Sequence, residues 1–449
     1  MFFRNELLFN NAFLSRLTPS DEQRGGMYSL VRAARDWYRQ ADFSSPAAML
    51  ETFVLPLLRN QSLDLVPLET SNVFHLVAPW NPAQPLGLLF AVSREHALDG
   101  LAPDGRLPKG QHWMVMAVDA ARQSGLRWVI LTNGDCWRLL GATALRRYEA
   151  FLEIDLAALV HAAADDPHFD QAASLFYQLF GLEGGFGRSD ESGRSGLDYF
   201  HARALQATEK TERYLKQTVC DYQDTPGSSD GIMAQLCVGL VKAIDPQGVQ
   251  AFTAEQRDAL YMDATYLLYR LLFILYAEAR GLLPAGQPEY QPVSLSRLLE
   301  EAVQMRGSPS LAQARPTSLW DGLRALFNFI DIGDTPTHIP AFDGGLFDDR
   351  PRRYLGSCKI SNTYLAEALC QLAFEVDPKN PASLERIDYR DLSVRHLGSL
   401  YEGMIEYRLF IAEEDLLARQ EKEGRVRYLP AKETLRKPND ELVSAGKVY

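Results

Sequence analysis

The residues able to do chemistry in this 449-residue chain are scattered, and the scatter restricts what the chain does. Its five cysteines, Cys136, Cys220, Cys237, Cys358 and Cys370, include no CxxC pair. That argues against a zinc site or a disulfide framework and for reduced thiols in a cytoplasm. The eight histidines are dispersed and read as structural. There is no HExxH, no GxSxG elbow and no P-loop, and GGFG at Gly184–Gly187 lacks the spacing that cradles a phosphate. A run of mixed charge is FDGGLFDDRPRR, Phe342–Arg353. Asp343, Asp348 and Asp349 lack calcium-loop spacing, and Arg350, Arg352 and Arg353 directly downstream neutralise them. The run reads as a structured loop beside a basic patch that faces phosphate. The expectation is a chain with no catalytic residue, no metal and no cofactor of its own.

A second stretch carries geometry rather than chemistry. In IDYRDLSVRHLGSLYEGMIEYRL, Ile387–Leu409, a short loop at Asp388–Asp391 opens a helix that is expected to run to about Leu409. Leu397, Leu400, Met404, Ile405 and Leu409 form one apolar stripe, with Glu402 and Glu406 on a neighbouring face. Gly398 and Gly403 each cost roughly 1 kcal/mol relative to alanine inside a helix. Such cost implies a close approach by another backbone or a ligand, tight packing within the chain being the plainer of the two readings.

The elements that position these residues follow from pattern. Apolar content of 46% and charged content of 23% are ordinary for a soluble globular chain long enough for two or three domains. A net charge of −12 opposes nucleic-acid binding by bulk electrostatics and leaves only a local basic face for it. The start, MFFRNELLFNNAFLSRL, carries charges and asparagines where a signal peptide would be apolar. Tyr266–Ala277 is too short to span a bilayer and contains Arg270, so it reads as a core helix. Residues 1–60 read as mainly helical, with a cap at Ser20-Asp21 and Pro46 in a first turn behind Ser44 or Ser45. Strands follow at Val73–Val77 and Leu86–Val92, then a helix near Gln111–Gln123 closed by Gly125, then a hairpin turning at Asn133-Gly134-Asp135. Beside that hairpin, Arg127, Asn133 and Arg138 are candidate phosphate contacts, and Trp128 and Trp137 are core candidates. This gives an α/β domain over residues 1–150. Residues 151–196 read as a helical connection ending in a flexible linker, Gly181–Gly196. Residues 197–409 read as helical throughout, with Arg270 and Glu278 pairing with charges on neighbouring helices. Residues 410–449 form a charged tail with a strand near Arg425–Leu429, unable to pack alone.

Four phrases together carry a resemblance: WVILTNGDCWRLL (Trp128–Leu140), YRLLFILYAEARGLLP (Tyr269–Pro284), IPAFDGGLFD (Ile339–Asp348) and LGSLYEGMIEYRL (Leu397–Leu409). Each is weak alone, but in combination, from about residue 45 onward, they resemble large adenine-specific DNA methyltransferases. These belong to restriction–modification and phage-defence systems, including the DISARM type, and join a nuclease domain, a helical spacer and a methyltransferase.

The resemblance implies a PD-(D/E)xK nuclease-like fold for the α/β domain and a mainly α-helical spacer after it. Such a nuclease needs two carboxylates on a divalent metal and a lysine to polarise water and phosphate. The aspartate would fall near Ser71-Asn72-Val73, and the glutamate and lysine near Phe90 and Val92. None of these holds a metal, so a degenerate nuclease domain is expected. A site displaced to Asp64, Glu69 and Glu95 is the alternative.

Methyl transfer to adenine would need a glycine loop for S-adenosylmethionine and a [DN]PP[YF] motif for a flipped base. Neither is present, and the Asn-Pro pairs Asn81-Pro82 and Asn380-Pro381 are not followed by a second proline. The expected function is the non-catalytic N-terminal part of such an enzyme. It would engage double-stranded DNA through Arg127, Asn133, Arg138, Arg350, Arg352 and Arg353. It would dock a methyltransferase domain or subunit, the holder of S-adenosylmethionine, through Gly398, Tyr401, Glu402, Gly403 and Tyr407. Other defence proteins are further expected partners, a membrane is not, and the location is cytoplasmic. The alternatives are a stand-alone scaffold protein of a phage-defence complex, or a metal-dependent endonuclease using the displaced site.

Overall fold

Two runs of five residues, Gly87–Ala91 and Trp128–Thr132, are buried along their whole length, as a continuous apolar sequence requires of strands covered on both faces. They pair in parallel, and a helix makes the crossover between them. The structure is a computed structural model that describes residues 2–69, 72–101, 112–144, 148–163, 165–187, 194–220, 231–246, 252–342, 344–377, 380–405, 414–420, 426–432, 434–437 and 441–443. Contacts divide the chain into two units, Met1–Glu209 and Lys210–Tyr449.

The first unit is an α/β structure. In chain order it holds β1 (Phe3–Glu6), α1 (Asn11–Ser15), α2 (Asp21–Gln40), α3 (Pro46–Met49), α4 (Leu55–Asn60), β2 (Asp64–Pro67), β3 (Val73–Val77), β4 (Gly87–Ala91) and α5 (Trp113–Gln123). Then come β5 (Trp128–Thr132), β6 (Cys136–Gly141), β7 (Phe151–Asp155), α6 (Leu156–His161), α7 (Phe169–Leu179) and the first part of α8 (Gly196–Cys220). The seven strands stand in the order β1-β7-β6-β5-β4-β3-β2, and only the central β4–β5 pair is parallel. One core packs α2, α4, α6 and α7 against the sheet, and a second packs α5 against it. Local signals act as expected. Ser20 and Gln23 close a capping box on α2, Ser45 caps α3 ahead of Pro46, and Gly125 and Gly134 take φ of +69° and +89°.

Three strands depart from the sequence expectation. β1 and β7 lie in stretches read as helical, and they pair with each other from Phe3↔Ile154 to Glu6↔Phe151. Neither run outlasts five residues, too short for periodicity to tell strand from helix, and the partner that decides between them is remote in sequence. The third, β2, is a four-residue edge strand on β3.

The first part of the glycine-rich stretch, Gly181–Gly187, is packed where its composition suggested a flexible linker. Leu182–Phe186 forms one turn of π-helix, and Phe186 is fully buried. A Cβ on Gly87 would lie 2.9 Å from the Phe186 ring and 2.9 Å from the Trp128 carbonyl oxygen, so this strand glycine makes room for the incoming phenyl group. A Cβ on Gly184 or Gly185 would collide with the carbonyl of Gln178 or Leu179. The glycines there serve close packing. Residues 188–193 lie outside the described residues.

The second unit is mainly helical. It continues α8 and adds α9 (Ile232–Ile244), α10 (Ala254–Ala279), α11 (Leu295–Gly307), α12 (Pro309–Ala314), α13 (Ser318–Ile332), α14 (Asn362–Ala373) and α15 (Val394–Ile405). Thr253 and Gln256 close a capping box on α10, and Gly281 at φ +67° follows its end. Among the described residues, α10 is the one helix long and apolar enough to cross a membrane. Here it is the centre of the helical core, with Leu267, Leu271 and Ile274 fully buried. A hairpin of β8 (Phe374–Asp377) and β9 (Asn380–Arg386) interrupts the helices where an all-helical run was expected. The tail builds a small sheet from β10 (Leu416–Gln420), β11 (Val426–Pro430) and β12 (Glu441–Val443), in the order β11-β10-β12. Leu416 and Ala418 are buried in it beneath Tyr428.

The two kinds of glycine make a paired prediction. Gly25 in α2 has nothing within 4 Å of an added Cβ, so Gly25→Ala is expected to raise stability by about 1 kcal/mol. Gly184→Ala is expected to lower it by about 1–3 kcal/mol through forced backbone shifts. Urea unfolding followed by the fluorescence of the buried Trp128 and Trp137 measures both, and a neutral Gly184→Ala would show the π-turn to be loosely packed.

Candidate functional site

The positions at which a nuclease metal was sought are occupied by core and turn. Phe90 is 7% exposed and Val92 2%, and both join the apolar cluster that α5 completes with Val118. The Trp113 ring lies 6.2 Å from that of Phe90. Asn72 adopts φ +73° in the turn before β3, a conformation asparagine tolerates better than most residues, and its carbonyl accepts the Ala91 N–H at 2.9 Å. The Asp64 carboxylate accepts from Leu65 N–H at 2.8 Å and lies 3.4 Å from Arg59. Glu69 and Glu95 are exposed. Among the described residues no three His, Cys, Asp or Glu side chains gather closely enough to hold a metal ion.

The hairpin residues proposed for DNA contact are committed internally. Arg138 is 1% exposed, clamped between Glu153 at 2.6 Å and Asp99 at 2.8 Å with its guanidinium 4.0 Å from the Phe151 ring centroid. Burial therefore corrects its assignment as a phosphate contact. Asn133, 7% exposed, donates to the His96 carbonyl at 3.0 Å and accepts from Cys136 N–H at 2.8 Å, so it shapes the turn. The turn itself is packed, since a Cβ on Gly134 would meet Met49 and Phe43. Arg127 is half exposed and pairs with Asp198 at 3.3 Å, and the same carboxylate accepts the Trp128 indole N–H at 2.9 Å. Neighbouring Cys136 is no nucleophile, because burial pushes its thiol up to about 12.

The arginine-rich loop is different, because its backbone is held while its tips stay in solvent. Arg270, on α10 and 1% exposed, donates through Nε to the Leu346 carbonyl at 2.8 Å, through Nη1 to Asp349 at 2.6 Å and through Nη2 to the Asp348 carbonyl at 3.2 Å. It also faces the rings of Phe327 and Phe347 at 5.2 and 5.8 Å. One turn-pair earlier on α10, Asp263 accepts the backbone N–H groups of Tyr354 and Leu355 at 2.7 and 3.2 Å. Burial pushes the Asp263 carboxyl up, against those two hydrogen bonds and the nearby arginines. Arg324 on α13 closes the far end through the carbonyls of Leu355 and Gly356. The loop is thus tied at both ends, and Arg352 lies flat on Tyr266 with 3.3 Å to the ring centroid. Arg350 is 91% exposed, sharing its charge with Asp348 at 2.9 Å, and Arg353 is exposed beside Tyr354. Asp343 lies outside the described residues. Of the six proposed DNA contacts, Arg350 and Arg353 are exposed on this held loop, Arg350 with a two-pronged pair to Asp348 and Arg353 over the Tyr354 ring.

The sequence reading missed Asp263 and Arg324 as anchors. The available signal was a carboxylate on the otherwise apolar face of α10. It anticipated partners on neighbouring helices for Arg270 and Glu278. Arg270 instead holds a loop, while Glu278 accepts the N–H groups of Leu295 and Ser296 at the head of α11.

On α15, Leu400 is buried and Leu397 half-buried against the helical core. Ser399 donates to Glu212 at 2.9 Å, and His396 Nε2 lies 3.7 Å from the same carboxylate. Among the described residues nothing lies within 4 Å of a Cβ placed on Gly398. Glu402 is exposed, Tyr401 and Gly403 are placed only as part of the helix, and Tyr407 lies outside the described residues.

Two predictions follow from these anchors. Arg270→Met leaves Asp349 without its buried partner and is expected to cost about 3–5 kcal/mol, whereas Arg350→Ala is expected to leave the unfolding curve unmoved. Comparable curves for both variants would show that the loop is not held as described. The second concerns Glu212. Burial pushes its carboxyl up, but Lys216, Ser399 and His396 outweigh that and hold it below its ordinary value. A lowered carboxyl stabilises above its unfolded value, about 4.3, and that stabilisation is lost as pH falls through the folded value. Amide exchange in α15, corrected for intrinsic rates, is expected to loosen over that acid range in the parent and to show no such step in Glu212→Gln. No protein-family model, curated protein or solved structure matches the chain, so the site stands on this geometry.

Proposed function

We propose that this chain is the DNA-engaging, non-catalytic part of an adenine-specific DNA methyltransferase of the restriction–modification or phage-defence kind. On this reading S-adenosylmethionine and the transfer chemistry belong to a partner half. The observation that carries the proposal is the pinned loop, which holds Arg350 and Arg353 in solvent on a backbone fixed by Arg270, Asp263 and Arg324. A guanidinium on a fixed backbone loses less freedom on meeting phosphate than one on a mobile tail. In a chain of net charge −12, binding has to come from such a local feature.

The first unit supports the same reading in its element order. The resemblance implies helix, two strands, helix and hairpin, and β3, β4, α5 and the β5–β6 hairpin follow the first helices in that order, with β2 an added edge strand. Phe90 and Val92 at the metal positions favour a domain that kept a fold and lost the cutting chemistry. Gly398, open on α15, suits an approaching partner backbone, here the methyltransferase half.

Anisotropy titration of a labelled duplex across a salt series tests the proposal. The parent is expected to show affinity falling with salt, and Arg350→Ala with Arg353→Ala to reduce the log–log slope by about 2. An unchanged slope removes the loop from the interface. Co-expression with an NPPY-bearing partner is expected to give a complex that methylates adenine only when both are present, and Gly398→Leu to weaken co-purification. Magnesium-dependent cleavage abolished by changing Asp64 or Glu69 would replace this reading with the displaced-site nuclease.

A further inference from the structure

At the C-terminal end of α10 the second unit forms an open cleft of about 340 Å³, within the size range of small-ligand sites. Its floor is apolar and mostly small, from Leu275, Ala279, Ala285, Ala373 and Ile387. Its walls carry two carboxylates, Glu278 and Asp388, and two guanidiniums, Arg386 and Arg390.

Three of these four charges are already answered. Glu278 accepts from the Tyr290 hydroxyl at 2.8 Å, from Leu295 and Ser296 N–H at 2.7 and 3.2 Å, and from the Ser296 hydroxyl at 2.8 Å. Asp388 and Arg390 form a two-pronged pair at 2.5 to 3.0 Å. Arg386 is left over. It is exposed at the rim, it donates to the Ser296 hydroxyl oxygen at 2.9 Å, and among the described residues it has no ion-pair partner. The wall that faces it is fixed, because the Tyr389 hydroxyl donates to the Leu372 carbonyl at 2.8 Å and the Arg390 carbonyl accepts from Arg280 at 2.7 Å. The site is therefore preformed, and binding need not first order it.

We propose that this cleft binds a small organic anion, with an apolar body in the pocket and a carboxylate or phosphate head on Arg386. At roughly 30 Å³ per water-sized group, the body and head together comprise on the order of ten non-hydrogen atoms. Guanidinium suits either head, since both accept its forked donors. Arg390 neutralises Asp388, and the Glu278 carboxylate is turned to the head of α11, whose N–H groups and dipole offset part of its charge.

Benzoate and phenyl phosphate are the probes and benzyl alcohol the uncharged control, each titrated calorimetrically into the full chain. Saturable one-site binding of at least one anion is expected, and its being the tighter of the two identifies the head that the site takes. Arg386→Gln is expected to weaken that anion by about tenfold, the effect of losing one charge-assisted hydrogen bond, and to leave benzyl alcohol unaffected. Ala285→Leu, on a partly exposed loop, fills part of the apolar floor and is expected to abolish binding of anion and alcohol alike. Circular dichroism of both variants checks that they fold as the parent does. Absence of binding by either anion, or binding that both variants leave intact, overturns the proposal.

Discussion

A guanidinium taken out of water must be answered on every side, and Arg270 is answered by a loop. Its three nitrogens meet two backbone carbonyls and one carboxylate, and two phenyl rings cover its faces. Removing a charge of this kind from solvent costs several kcal/mol, recovered only where geometry and hydrogen bonding are complete. The arrangement therefore specifies one loop conformation rather than a family of them. Asp263 extends the constraint from the same helix, so α10 holds the stretch from Leu346 to Leu355 by opposite charges placed two turns apart. What the loop presents to solvent, Arg350 and Arg353, inherits its position from a helix that is otherwise the apolar centre of its unit.

The first unit rests on a contrary constraint. Its central strands are buried on both faces, so any polar residue on them must be satisfied internally. Arg138 illustrates the consequence: on β6 it lies between Trp137 and Leu139, yet it points into a pocket made by Asp99, Glu153 and Phe151. A surface role for it would require one face of the sheet to be open, and α5 and Leu98 cover that face. The same covering explains why Phe90 and Val92 stand where metal-binding side chains were sought. An apolar residue at each of those positions lets α5 pack directly on the sheet, and a carboxylate buried there would need a cation or a donor set to neutralise it.

Much of the architecture was legible in the sequence, for physical reasons that can be named. The apolar runs at Val73–Val77, Gly87–Ala91 and Trp128–Thr132, the Asn133-Gly134 turn, the caps at Ser20 and Ser45 and the Gly281 stop on α10 are local signals whose meaning needs no partner. The elements that escaped are those whose identity is decided at a distance. β1 and β7 become strands by pairing with each other across most of the unit, and β8–β9 is a hairpin inside a helical context. The Leu182–Phe186 turn was misread because glycine composition alone does not separate freedom from crowding. For the site, residue types were legible but exposure was not. Six candidate cation and amide positions looked equivalent in sequence, and burial alone distinguished Arg138 and Asn133 from Arg350 and Arg353.

Gly398 shows the same distinction in reverse. Inside a helix, glycine is disfavoured by about 1 kcal/mol, and a glycine that its own fold crowds offsets that through packing, as Gly239 on α9 and Gly322 on α13 do. Gly398 meets nothing within 4 Å among the described residues, so nothing there offsets its cost. On the same helix Leu397 and Leu400 face inward, and Ser399 and His396 bind Glu212. One side of α15 is thus fully committed while another bears an unspent vacancy for a Cβ. On the reading proposed above, an approaching partner backbone takes that vacancy, which sets Gly398 apart in role from the equally open Gly25 on α2.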